Sequence, residues 1–516
     1  MELKILATSD MHGYIMPTNF TQRDLDLPFG TAKAASKMKE LRAAATGPVV
    51  QIENGDFIQG SPLSYYVRKH PEHGAKAITS IINGMHYDVG LLGNHEFNYG
   101  RDYLQEAIAS YQHPILAANV LNEAGEPAFG APYAILEKAG VKIGVIGVVT
   151  KHIPFWEQPA TVAGLTFASI VETVEKYLPE VREQADVVIV AYHGGFERDL
   201  VTGEPTEELT GENQGYELLH AVKGIDAFVT GHQHRQIATK INGIPVIQPG
   251  YQGAFVGEIT LELDEANGYQ VIGSEAKIHA VADEQPDATI VSELANLNEE
   301  VEAWLDQPVG RVEGDMRILN PHEARLVEHP YIEFINKVQM DAANVDIAGT
   351  ALFNNEGKGF GEVITMREVI TNYIYPNTLA VVKVTGAELK AALERSAEHF
   401  VIQDGEVVFN PKFVEPKPQY YNYDMYEGID YTLDLKQPIG QRVTQFEYHG
   451  APVSADAELE VVINQYRAVG GGDYTMFSAD KIVREVQIDM TELIAEYLRK
   501  HPVIQATANH NFTVLG

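Results

Sequence analysis

The chain has 516 residues, 45% of them hydrophobic, which is material for full globular cores and too much for one, so two or three units are expected. A formal net charge of −34 would repel a polyanion over most of the surface and argues against a nucleic-acid scaffold. With no cysteine, disulfides, thiolate zinc sites and thiol catalysis are excluded, and any metal must be held by nitrogen and oxygen ligands.

The chain moves directly into an apolar run at 4–9, with no basic start, long apolar stretch or cleavage site. A cytoplasmic protein is the expectation, the alternative being a secreted or cell-wall-associated one whose leader has been removed. The longest apolar runs, such as 143–149, fall far short of the ~20 residues a bilayer span needs. Further runs at 49–53, 88–92, 186–191 and 227–230 read as buried strands, and the stretches 32–42 and 170–182 as helices among them. That βαβα rhythm predicts a layered α/β domain over 1–283.

Each of the five apolar runs ends beside side chains that bind metals: Asp10 with His12, Asp56, Asn94, His193, and His232 with His234. Ligands of an open α/β sheet lie outside the carboxyl ends of its strands, so five such strands side by side would aim all seven groups into one crevice. Asp10 and His12 stand two apart, as do His232 and His234, and in extended chain each pair faces one side. Glycines at 55, 93, 194 and 231 let the backbone turn tightly and leave room for a ligand. A lone Asp-x-His pair is more often structural, and His70, His73, His86, His113 and His220 are assigned to solvent, caps or core. Seven nitrogen and oxygen ligands with the Asp56 carboxylate shared make a two-metal site. Such ions, ~3.5–4 Å apart, clamp the attacking and leaving oxygens of an in-line displacement, so phosphoester hydrolysis is the leading chemistry.

From 284 to 315 the chain predicts a linking helix, with Ile290, Leu294, Leu297, Val301 and Leu305 at helical spacing. The third segment, 316–516, contains more Tyr and several turn signals. Strands at 345–349 and 379–385 flank a helix over 366–374, and another helix follows at 386–395, which predicts a second α/β domain.

Asp10-x-His12, Gly55-Asp56, Gly93-Asn94-His95-Glu96, His193 and Gly231-His232-x-His234, in that order, resemble the metallophosphoesterase (calcineurin-like) signature. The longer phrases at 55–62 and 93–100 resemble the 5′-nucleotidase superfamily, closest to its 2′,3′-cyclic-nucleotide 2′-phosphodiesterase/3′-nucleotidase branch. Phrases at 375–378, 420–424 and 464–472 extend the likeness over nearly the whole chain. The resemblance implies an N-terminal four-layer β-sandwich flanked by helices, the linking helix, and a C-terminal α/β 5′-nucleotidase-type domain that binds the base. It implies one divalent ion on Asp10, His12, Asp56 and His234 and a second on Asp56, Asn94, His193 and His232, with Mn, Zn, Fe and Co all compatible. His95 matches the family's catalytic histidine, which stabilises the phosphoryl transition state or protonates the leaving alkoxide. Asn98 stands where 5′-nucleotidases place an aspartate that orients this histidine; the cyclic-phosphodiesterase branch resembles this chain in having asparagine there. Tyr421 and Tyr466 match an aromatic pair that sandwiches the nucleobase, with stacking worth ~1–3 kcal/mol per base. Asp473, in the glycine run 470–474, is suited to accept hydrogen bonds from ribose hydroxyls. The arginine-bearing glycine loop of 5′-nucleotidases is not evident at 352–360, which disfavours a 5′-monophosphate specialist.

The resulting expectation is a dimetal enzyme that opens 2′,3′-cyclic nucleotides to 3′-nucleotides and hydrolyses those to nucleosides and phosphate. The alternatives are a 5′-nucleotidase or nucleotide-sugar hydrolase of the same fold, and an inactive nucleotide-binding protein. Nucleotides are the expected partners, with no nucleic-acid polymer and no membrane; the oligomeric state is left open, a monomer being sufficient.

Overall fold

The computed structural model describes every residue except 208, 376, 416 and 487, so Pro376 of the phrase 375–378 lies outside the described residues. The chain divides into two compact units, Met1–Val301 and Glu302–Gly516. Within the stretch 284–315 a helix spans Ala288–Leu305, and the division between the units falls inside it.

In the first unit, two six-stranded sheets pack face to face. One runs Gln270–Ala280, Phe255–Asp264, Glu2–Thr8, Val49–Glu53, Val89–Leu91, Ile115–Leu116; the other Gln236–Ile241, Ile244–Pro249, Ala227–Val229, Val187–His193, Val141–Val149, Tyr133–Lys138. Runs of Val, Ile and Leu without polar alternation suit strands buried on both faces. Leu3, Ile5, Val50, Ile52 and Val89 of the first sheet meet Val145, Val187, Ile189 and Val229 of the second, each contributing ~1.5–3 kcal/mol by full burial. Helix Ile170–Gln184 covers the outer face of the second sheet through Val174, Leu178 and Val181, and helix Thr31–Ala44 lies against strand Phe255–Asp264 of the first. These are the four layers the resemblance implied.

The five strands that precede the metal-seeking groups are not neighbours in one sheet. Three lie together in the first sheet and two in the second. Both sets pair in parallel, Lys4 opposite Val49 and Ala227 opposite Ile189, so each sheet sends its carboxyl ends out together. Apolar runs report burial and not which sheet buries them, which is why the partition was invisible in sequence.

The second unit holds a mixed five-stranded sheet in the order Asp424–Glu427, Ala348–Ala351, Glu458–Asn464, Leu379–Thr385, Ile482–Val486. Its core joins Val381 and Ile463 to Ile335 and Val338 of helix Pro330–Ala343 and to Leu389 and Leu393 of helix Gly386–Ala397. The strand expected at 345 begins at Ala348, because Asn344 takes a left-handed conformation (φ 50°) to end the preceding helix and the chain needs three residues to return to the sheet. Helix Gly386–Ala397 starts with a capping box in which Glu388 N–H donates to Thr385 Oγ1 (3.2 Å) and Thr385 N–H donates to Glu388 Oε2 (2.8 Å). Thr385→Ala is expected to lower the stability of this unit by about 1 kcal/mol, read as a reduced denaturant midpoint at unchanged slope. Among the described residues no helix is long and apolar enough to cross a membrane.

Candidate metal centre

The loops after the strands are stitched to one another by their backbones. Asp10 N–H donates to Gly55 O (3.0 Å) and His12 N–H to Asp56 O (2.8 Å), which ties the turn after Glu2–Thr8 to the turn after Val49–Glu53. Both Asp10 carboxylate oxygens accept His232 N–H at 3.0 Å, bringing in the loop from the second sheet. Asp10 (φ 54°), His12 (49°), Asp56 (59°), His232 (68°) and His234 (58°) all occupy the left-handed region. Such backbone costs of order 1–3 kcal/mol per non-glycine residue and persists where the surroundings over-determine it, as at functional sites. Glycine is required beside them by space: a Cβ on Gly93 would lie 2.1 Å from Asp56 Oδ1, and one on Gly231 2.2 Å from Ser9 Oγ.

The side chains gather in overlapping groups. Ligand atoms of Asp10, His12 and His234 lie mutually within 4.8 Å, as do those of Asp56, His193 and His232 and those of His12, Asp56 and His95. Asp56 joins them, its Oδ2 standing 3.1 Å from His193 Nε2 and 4.0 Å from His12 Nε2. Asn94 is brought in as well, its Oδ1 lying 2.8 Å from His232 Nδ1.

The ring nitrogens facing away from the cluster set the tautomers. His12 Nδ1–H donates to Gln59 O (3.1 Å) and His193 Nδ1–H to Asn54 O (2.6 Å), so each directs Nε2 inward, where a bound cation would take its lone pair. His232 is oriented the other way round, with Nε2–H given to Glu212 Oε1 (2.8 Å) and Nδ1 left against Asn94. The inward atoms are acceptors crowded on acceptors. His12 Nε2 lies 3.1 Å from His234 Nε2, and the buried His193 Nε2 and Asp56 Oδ2 make no hydrogen bond. Buried polar atoms without partners are costly, and a cation is what reconciles lone pairs so arranged; the donor set fits divalent metal.

Electrostatics separate the two histidines. Burial pushes the His12 imidazole down to about 4, and neighbouring His95 acts in the same direction, so His12 is a neutral ligand near pH 7. Burial also opposes charge on His193, but the Asp56 and Asp10 carboxylates overcome it and raise that imidazole to about 10, so with no cation between them a proton occupies Nε2, and metal binding would displace it. Burial disfavours the charged Asp10 carboxylate, yet His193 and His234 hold it well below the usual carboxylate range.

Behind this layer stand residues to which the sequence reading assigned no role. Glu96 is buried and accepts the N–H groups of Gly93 (2.6 Å), Asp56 (2.8 Å) and Phe57 (2.7 Å), fixing two of the loops. Trp156 stacks over His232 (centroids 5.5 Å apart, 26° between planes) and Tyr251 over His234 (4.8 Å, 5°). His95 Nδ1–H donates to Asn98 Oδ1 (2.6 Å), and Asn98 Nδ2–H donates to Glu157 Oε1 (2.5 Å). Burial raises the Glu157 carboxyl to about 7, with the Asn98 bond acting against it. The segments supplying Glu157 and Glu212 carry no metal-binding motif, so only their charge marked them.

The three expected substrate residues lie in the second unit. The Tyr421 and Tyr466 rings are 6.5 Å apart at 68°, edge to face rather than parallel. A parallel sandwich would need one ring to turn. Asp473, left-handed at φ 63°, receives Arg395 Nη2–H on Oδ2 (2.7 Å). The glycine run is sterically required, since a Cβ on Gly471 would stand 2.6 Å from the Tyr466 ring.

A helix-flanked double sheet with buried carboxylates and imidazoles crowded at its strand ends is the architecture of a metal-dependent phosphoester hydrolase. Residues 3–236 match the family model of the calcineurin-like phosphoesterases and residues 308–479 that of the 5′-nucleotidase C-terminal domain. The chain belongs to the 5′-nucleotidase family of metallophosphoesterases. It is similar over the full length of both chains (39% identity, TM-score 0.94) to a Staphylococcus aureus structure solved with α-ketoglutarate under a provisional 5′-nucleotidase description. The 2′,3′-cyclic-nucleotide 2′-phosphodiesterase/3′-nucleotidase of Haemophilus influenzae is 29% identical over 99% of this chain and 86% of that protein. The trifunctional nucleotide phosphoesterase protein YfkN of Bacillus subtilis is 29% identical over all of this chain, which spans 39% of that longer protein.

Proposed function

We propose that the chain opens 2′,3′-cyclic nucleotides to 3′-nucleotides and hydrolyses these to nucleosides and phosphate. The observation that carries the reading is the convergence of seven metal-seeking side chains around Asp56, with His95 beside them and backed by Asn98. Relatives that bear the cyclic-phosphodiesterase/3′-nucleotidase name over nearly the whole chain support the substrate class. Asp10, His12, Asp56 and His234 would hold one divalent ion and Asp56, Asn94, His193 and His232 a second, and the pair would supply positive charge for an in-line phosphoryl displacement; Mn, Zn, Fe and Co all suit such ligands.

The protein's own groups do the rest. With Nδ1–H committed to Asn98, His95 has Nε2 available to hold a proton for the departing alkoxide. Tyr421 and Tyr466 stack the base and Asp473 accepts from the ribose hydroxyls. Tyr466→Ala is expected to raise KM roughly 5- to 150-fold for every base, the equivalent of ~1–3 kcal/mol of stacking, with kcat little changed.

A panel of 2′,3′-cAMP, 3′-AMP and 5′-AMP, run on metal-loaded protein, tests the reading. Turnover of the first two with 5′-AMP at least about tenfold slower in kcat/KM, a gap of ~1.4 kcal/mol, is the expected result. Turnover of 5′-AMP alone would reject it in favour of a 5′-nucleotidase, the description under which the Staphylococcus aureus structure was solved.

A further inference from the structure

The segment around 151–162 brings two side chains to the metal centre. Trp156 covers His232, and the next residue, Glu157, is 7% exposed and reaches behind Asn98. The order of donors and acceptors there is informative. A carboxylate offers only acceptors, whereas a carboxamide has one donor end and one acceptor end. An acceptor at position 157 therefore selects which end of Asn98 meets His95: the NH2 turns to Glu157 at 2.5 Å and the carbonyl oxygen turns to His95 Nδ1 at 2.6 Å. With the amide reversed, its NH2 would face Nδ1, which would then have to present a lone pair.

We propose that Glu157 is a positioning residue for the hydrolysis, locking the Asn98 amide so that His95 keeps its proton at Nδ1 and turns Nε2 toward the ester. The proposal deepens the reading of His95 as the proton-handling group and rests on it. An amide at position 98 carries no charge to orient or support the imidazole. Above about pH 7, where its carboxyl is ionised, Glu157 supplies that charge one side chain further out, and the two hydrogen bonds in series polarise one another. The three residues together do what a histidine and an aspartate do as a pair.

A double-mutant cycle separates this role from simple support of the loop. Assayed at about pH 9, above the raised value of the Glu157 carboxyl, Asn98→Asp alone sets two carboxylates at the 2.5 Å contact that Asn98 Nδ2 and Glu157 Oε1 now make, where they repel and disturb the bond to His95. Glu157→Gln alone keeps the shape but offers the amide at 98 a donor as well as an acceptor, so both orientations become available. In the combined variant the new amide donates to the new carboxylate, which accepts from His95 with its other oxygen, and the chain is rebuilt. Each single change is expected to lower kcat/KM for 3′-AMP about 10- to 100-fold, and the double variant is expected to recover to within about 3-fold of the wild type. Melting temperature and bound metal are measured for every variant. Losses that multiply in the double variant would overturn the proposal.

Nitrogen-15 NMR of histidine-labelled protein reads the tautomer without any turnover, with the His95 signals identified by their disappearance in His95→Gln. The expected result is an Nδ1–H tautomer in the wild type that changes in Glu157→Ala. An Nε2–H tautomer in the wild type, or a spectrum indifferent to Glu157→Ala, would overturn the proposal. Failure of the substrate assignment is seen separately, as a wild type inactive on 2′,3′-cAMP and 3′-AMP. In that case the cycle is read on the ester the protein does hydrolyse, and the tautomer still decides the role of Glu157.

Discussion

Asp56→Ala is expected to remove hydrolysis by at least about 10³-fold in kcat, a larger loss than that of one preorganised electrostatic contact, and to lower the bound metal to one ion or none per chain. The reason is topological as much as chemical. Asp56 Oδ2 is the atom approached by both His193 and His12, and Asp56 Oδ1 accepts the His95 backbone N–H at 2.7 Å. Its removal would therefore take a member from both proposed ligand sets and free the turn that carries His95. Elemental analysis after gel filtration, paired with turnover of 3′-AMP, measures both effects. Full metal content in this variant would show that the carboxylate is not shared.

His95→Gln is expected to act differently, lowering kcat on 3′-AMP by about 10²–10⁴-fold while bound metal stays at the wild-type level. On p-nitrophenyl phosphate, whose leaving group departs without a proton, the loss should be under about tenfold, because general-acid help is worth little there. The comparison is informative because His95 stands within 4.8 Å of ligand atoms of His12 and Asp56 and is itself a potential ligand. Loss of metal in the glutamine variant would assign it to the metal, and equal losses on both esters would assign it to the phosphoryl group rather than the leaving oxygen.

Much of the architecture could be read from the chain because buried strands and metal-binding side chains have strong local signals. All five candidate strands fall within two residues of their expected ends, and Val187–His193 continues far enough to include its own metal-seeking residue. What could not be read was relational. Apolar runs do not say that two of these strands belong to a second sheet, and nothing local announces left-handed backbone at Asp10 or Asp56. Glu96, Glu157 and Glu212 were hidden for a different reason: acidic residues are abundant in a chain with 72 of them, and only the fold shows which face inward. The Tyr421 and Tyr466 pair shows the opposite limit, since sequence can nominate two rings and cannot set the 68° between them.

The central claim is that seven side chains from two sheets hold a pair of ions across one carboxylate. Crystals grown with Mn²⁺ and measured for anomalous scattering test it most directly. Two peaks ~3.5–4 Å apart on either side of the Asp56 carboxylate, enclosed by Asp10, His12, Asn94, His193, His232 and His234, are the predicted result. A single peak, or peaks lying outside these side chains, would contradict it.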